Sequence, residues 1–164
     1  MAATQLATNR KQDVIEGLEF LMQQADRIAT RFTDDDWTRP SDHGGWTAKQ
    51  VYAHVTGLGA LIPQFVEGYV AAGPANDIGP KTPIDDINAG LVGDRTKASP
   101  RELGDEFAKN YGAALDWARK QPDDFFAKRG TLGGYENWTA ADLLVTAFVM
   151  HAVAHLYNAS TRFP

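Results

Sequence analysis

The chain has 164 residues, 43% of them hydrophobic and 23% charged, with a net charge of −5 at neutral pH. That length suits one domain with a real core, here expected over residues 1–164, and the acidic balance argues against nucleic acid, whose phosphates need a basic face. Cysteine is absent, which excludes disulfides, thiolate metal sites and a cysteine nucleophile and leaves histidine and carboxylate as the metal ligands.

The first helix is expected from about Asn9 to Phe32, where Val14, Leu18, Leu21, Ala25, Ile28 and Phe32 recur at helical spacing. Arg27 with Arg31 reads as solvated surface. Asp34-Asp35-Asp36 opens a loop, and three adjacent carboxylates do not share a face. Trp46-Thr47-Ala48-Lys49-Gln50-Val51 then starts a second helix, with Thr47 as N-cap, Gln50 closing a capping box and Trp46 with Val51 as a hydrophobic staple. It runs to about Ala72. His54 lies near its start, on the face of Val51, Leu58, Leu61 and Phe65. Gly57 and Gly59 invite close approach by another helix, and Pro63 predicts a bend. His43, between Asp42 and two glycines, reads as an exposed loop residue.

Residues 73–83 are rich in Gly and Pro and read as surface loop. A short helix follows from Thr82-Pro83, with Ile84, Ile87 and Leu91 on one side. Ser99-Pro100-Arg101-Glu102 is the next start signal, a serine cap with proline in the first turn. The helix to about Lys120 is expected to bury Leu103, Phe107, Tyr111, Ala114, Leu115 and Ala118. Residues 123–137 read as a second loop, and no period-two strand pattern is apparent. Trp138-Thr139-Ala140-Ala141-Asp142 repeats the Trp46-Thr47 start in kind, and the last helix runs to about Ser160. The fold class is therefore all-α: a four-helix bundle with a short additional helix before the third main helix.

His151 and His155 stand four residues apart, one turn along one helical face shared with Phe148, Ala147 and Leu144. Three of the four histidines are thus expected to point inward. One inward histidine is usually a hydrogen-bonded core residue. Two neutral imidazoles side by side need two sets of partners, and a third tips the pattern toward a metal site. That reading requires antiparallel packing of the second and last helices, because His54 is near the start of one and His151 and His155 near the end of the other. Gln50 and Asn158 share faces with His54 and His155 and are candidates to orient ligands or substrate, or plain helix-surface amides.

Asp35-Asp36-Trp37, Arg39-Pro40, Gly45-Trp46-Thr47, His54 eight residues after Trp46, and the terminal His151-x-x-x-His155 together resemble the DinB-like superfamily, most closely its mycothiol-dependent maleylpyruvate isomerase N-terminal branch. The resemblance spans essentially the whole chain. It implies a metal-binding bundle with His54, His151 and His155 as ligands of one divalent ion, usually zinc, with nickel, iron and manganese as alternatives. It also implies a metal-dependent S-transferase or isomerase that takes its sulfur from a low-molecular-weight thiol. Two departures stand out. The isomerase branch typically has glutamate where this chain has His151, and its members carry a further C-terminal domain. A non-catalytic metal- or ligand-binding bundle, a metal-hydroxide hydrolase and a helical dimer with core histidines are the other readings.

The remaining expectations concern setting. The first residues have neither a basic start nor an apolar core, so no secretory signal is read there. No run of about 18 apolar residues marks a membrane span. A cytoplasmic homodimer acting on a small molecule is expected.

Overall fold

The computed structural model describes residues 10–41 and 45–161, with the side chains of 135–137 and of 161 left aside. His43 therefore lies outside the described residues. The helices are α1 (Arg10–Arg31), α2 (Asp34–Thr38), α3 (Ala48–Ala72), α4 (Ile84–Val92), α5 (Pro100–Lys120), α6 (Ala140–Leu143) and α7 (His151–Thr161). A π-helical stretch, Leu144–Met150, joins α6 to α7 into one long rod. A hairpin of β1 (Arg129–Leu132) and β2 (Tyr135–Thr139) precedes that rod.

The four principal rods bury the stripes their sequences carry. In α1 these are Val14, Leu18, Leu21, Ala25 and Ile28, and in α5 the six residues from Leu103 to Ala118 named above. Each fully buried leucine contributes about 1.5–3 kcal/mol. The starts of α3, α5 and α6 all show the reciprocal capping box, from Thr47 with Gln50, Ser99 with Glu102 and Thr139 with Asp142.

Side-chain links fix the relative directions of the rods. The Tyr69 hydroxyl donates to the Trp138 carbonyl (2.8 Å) while His54 meets His151, so α3 and the α6–α7 rod run antiparallel. The Arg10 guanidinium donates to Thr139 Oγ1 (2.9 Å), and Leu156 meets Ile28 across a shared groove, so α1 runs parallel to the last rod. Tyr111 donates to the Val55 carbonyl and Trp117 Nε1 to Glu67 (2.7 Å), which makes α3 and α5 parallel. The order is up, down, down, up. Two successive rods in one direction need a long return, and residues 73–99, with α4 packed on α3, supply it. The glycines of α3 permit this packing: a Cβ on Gly57 would lie 3.0 Å from the Leu91 carbonyl oxygen, and one on Gly59 only 2.4 Å from the Tyr111 ring.

Several expectations are corrected. Asp34 to Thr38 is a turn of helix, not loop, because Thr33 and Asp36 form a fourth capping box. The 123–137 segment is not a plain loop: Asp123–Ala127 is 3₁₀-helical and the hairpin follows. Gly133 and Gly134, both at positive φ (56° and 86°), make its two-residue turn, a conformation other residues resist. The α3 face of His54 also differs. Leu61 is 41% exposed, and the buried side runs instead through Tyr52, Val55, Ile62, Val66 and Tyr69. Pro63 lies inside α3, which keeps its helical hydrogen bonding on either side of it.

The stretch Ala140–Ser160, with mean hydropathy 1.4, is long and apolar enough to cross a membrane, but half of it is buried in the bundle. Its apolar character is that of a rod packed between α1 and α3.

Candidate metal centre

Backbone hydrogen bonds tie the chain ahead of α3 to the start of that helix. Ser41 N donates to the Trp46 carbonyl (2.6 Å) and Ala48 N to the Arg39 carbonyl (2.9 Å), which holds Trp46 over the first turn of α3. The Trp46 ring lies 5.4 Å from the His54 ring, centre to centre. His54 is only 2% exposed.

The other two histidines follow the π-helical stretch. Leu144, Phe148, Ala152 and Leu156 are all buried and spaced by four. On a regular helix such a series drifts by about 40° per step, whereas wider winding keeps it on one face. The widened segment thus reconciles the apolar stripe with the bundle and delivers His151 and His155 to His54. Gly17 of α1 makes room for it, since a Cβ there would sit 3.3 Å from Val149 Cγ1.

Three imidazoles meet. His151 Nε2 lies 3.0 Å from His155 Nε2 and 3.3 Å from His54 Nε2, and one ring nitrogen from each of the three falls within 4.8 Å of the others. Among the described residues this is the one such group of three histidines or carboxylates. His54 and His155 are buried, but His151 is exposed, which corrects the expectation that all three point inward. The exposed ring marks the open side of the cluster.

The donor set fits a metal. Two ligands on a tetrahedral ion at about 2.0–2.1 Å are separated by about 3.3 Å, close to the 3.3 and 3.0 Å that His151 Nε2 keeps from His54 and His155. Hydrogen bonding alone serves the cluster poorly. His151 Nε2 carries either one hydrogen or one lone pair, so it satisfies one of its two nitrogen neighbours and not both.

The other candidates divide. Gln50 Oε1 accepts from the Thr47 amide (2.9 Å), so its carboxamide caps α3. It also lines a cavity of about 450 Å³, with Trp46, Asn88, Asp85 and Thr96. Asn158 is exposed on α7, outside the histidine group. Asp36 is held below the usual carboxylate range by the Thr33 amide and hydroxyl, with which it forms the capping box of α2. Tyr52, two residues before His54, points into the core, where its hydroxyl donates to the Ala25 carbonyl (3.3 Å) and burial pushes its pKa far up. Sequence reading had no signal for the cavity, because α4 reaches it from 35 residues or more along the chain.

Two antiparallel rods thus bring three histidines together at one end of a four-helix bundle of the DinB-like class. The family model of the mycothiol maleylpyruvate isomerase N-terminal domain matches residues 18–160, and the chain belongs to that family. Its fold is similar to that of YfiT from Bacillus subtilis, described as a probable metal-dependent hydrolase with an unusual four-helix bundle topology. The two share 19% identity at a TM-score of 0.71, over 99% of this chain and 92% of that one. A comparison with curated proteins gave no match.

Proposed function

We propose that His54, His151 and His155 hold a divalent metal ion, and that the protein is a cytoplasmic metal-dependent enzyme joining a low-molecular-weight thiol to an electrophilic small molecule, as an S-transferase or isomerase. The convergence of three Nε2 atoms from two antiparallel rods carries this reading. Family membership supports the thiol, and a chain without cysteine must take its sulfur from a co-substrate. When bound, the ion would act as a Lewis acid and lower the pKa of a coordinated water or thiol toward neutrality. Zinc suits neutral imidazole donors, with nickel, iron and manganese as alternatives.

The chain's own residues perform the positioning. Buried His54 and His155 are fixed by packing, the former against Trp46. Exposed His151 leaves the solvent side of the cluster accessible. The cavity beside Trp46 offers an indole wall with Gln50, Asn88 and Asp85 to receive the polar body of a substrate. Among the described residues it presents an acid, Asp85, and no basic side chain, so a neutral or cationic body suits it better than an anionic one.

A hydrolase is the second reading, favoured by the description of the similarly folded YfiT. One experiment separates these. Metal content is measured on purified protein and on His54→Ala, and consumption of maleylpyruvate and of a model electrophile is followed with mycothiol, bacillithiol or glutathione. Thiol-dependent turnover lost in His54→Ala supports the transferase. Metal-dependent turnover needing no thiol supports the hydrolase. Metal bound with no turnover above free ion leaves a binding bundle, and full metal content in His54→Ala removes the triad from consideration.

A further inference from the structure

On the outward stripe of α1, Glu16 accepts from Gln12 (2.9 Å) and Arg27 donates to Gln24 (3.3 Å), both contacts within the helix itself. At about 100° per residue, Asp13, Glu16, Phe20, Arg27 and Arg31 fall within about 60° of one another. Both acids and both arginines are exposed. None of the four makes an ion pair among the described residues, whereas Arg10, Lys11, Arg39, Arg95, Lys97 and Arg119 all do. Beside the stripe, between the parallel α1 and α7, lies a groove of about 340 Å³. Ile28 and Leu156 form its floor, Phe20 and Tyr157 stand on its rim, and Arg27 and Arg31 lie at one end. The rim residues are 50% and 65% exposed.

The charge order is its own complement when the chain direction is reversed. Acids lead and bases follow, at nearly equal distances from the level of Met22. A second α1 laid antiparallel across the first at that level sets Asp13 opposite Arg31 and Glu16 opposite Arg27, twice over by symmetry. The same register brings Phe20 of each copy level with Gln24 of the other, at the mouth of the groove. Knob, groove and charges thus satisfy the self-complementarity that a two-fold interface demands.

We propose that the α1–α7 face is the contact surface of a homodimer, with a second copy of this chain as its occupant and an antiparallel α1 pair at its centre. This rests on neither the metal nor the reaction. The test is a charge-swap pair: one variant with Arg27→Glu and Arg31→Glu, the other with Asp13→Lys and Glu16→Lys, each weighed by analytical ultracentrifugation at about 100 μM in low salt, where charge pairs act most strongly. The wild type is expected as a dimer, and each variant alone as a monomer, because both ends of its own pairing become repulsive. An equimolar mixture is expected to form a heterodimer, in which every contact is attractive again. Recovery on mixing also excludes misfolding as the cause of dissociation. A monomeric wild type, dimeric variants, or a mixture that stays monomeric overturns the proposal. In a monomeric wild type, anilinonaphthalene sulfonate binding abolished by the arginine substitutions would assign the groove to a small apolar anion.

Discussion

Replacing Gly59 by alanine tests whether close packing of α5 on α3 holds the end of the bundle that carries His54. A Cβ at this position would lie 2.4 and 2.6 Å from two carbons of the Tyr111 ring, so the ring must retreat by about 1 Å to regain ordinary contact. It has nowhere to go. Tyr111 is fully buried, it stacks on Phe107 at 4.3 Å between ring centres, and its hydroxyl is tied to the Val55 carbonyl at 3.0 Å. Overpacking costs about 1–3 kcal/mol and a strained buried hydrogen bond about 1–3 more, offset by about 1 kcal/mol of helix propensity. The net loss of about 3 kcal/mol corresponds to a Tm lower by about 10 °C in a chain of this size. Gly68→Ala on the same helix is the control. Nothing lies within 4 Å of its Cβ, so it should gain up to about 1 kcal/mol and melt slightly higher. Thermal melts followed by circular dichroism decide the matter. A Gly59→Ala protein as stable as wild type would refute the packing argument.

Three further outcomes follow from the same structure. Trp46→Ala removes the ring packed on His54 and should weaken zinc binding about tenfold in a competitive chelator titration; an unchanged affinity would show that Trp46 does not position the ligand. Gly130→Ala places a Cβ within 2.9 Å of the Tyr69 ring and should both lower the Tm and speed amide exchange in the hairpin, since Tyr69 holds the Trp138 carbonyl; normal exchange would disprove that link. Asp77 accepts from the Gly79, Gly133 and Gly134 amides, which hold its carboxyl below the usual range. Its stabilising effect is therefore complete above the unfolded pKa of about 3.9 and is lost as pH falls through the lower folded value. In urea titrations the stability difference between wild type and Asp77→Asn should stay constant from about pH 7 to 5 and shrink below about 4; a difference unchanged in acid would contradict this.

The parts of the fold legible in the sequence were those set by local chemistry. The stripes of α1 and α5 and the capping boxes at Thr47, Ser99 and Thr139 need only spacing and a cap, and the structure has them where they were read. The histidine cluster was legible for the same reason, once antiparallel packing was required. What escaped depends on the rest of the chain. The hairpin strands are four and five residues long, too short for a clear period, and are secured by Tyr69 and Asp77 from far upstream. Gly133-Gly134 was the one local signal for them. The π-helical stretch was invisible because helical spacing assumes 3.6 residues per turn throughout. The same assumption put all three histidines on the buried side, and His151 is exposed. Leu61 was assigned inward because apolarity alone does not reveal which flank of α3 is left uncovered.

X-ray absorption at the metal edge of zinc-loaded protein, beside zinc-loaded His54→Ala, addresses the central claim most directly. The wild type should show imidazole scattering from three ring nitrogens at about 2.0–2.1 Å, falling to two in the variant. A wild-type spectrum without three imidazoles, or one that His54→Ala leaves unchanged, would contradict it.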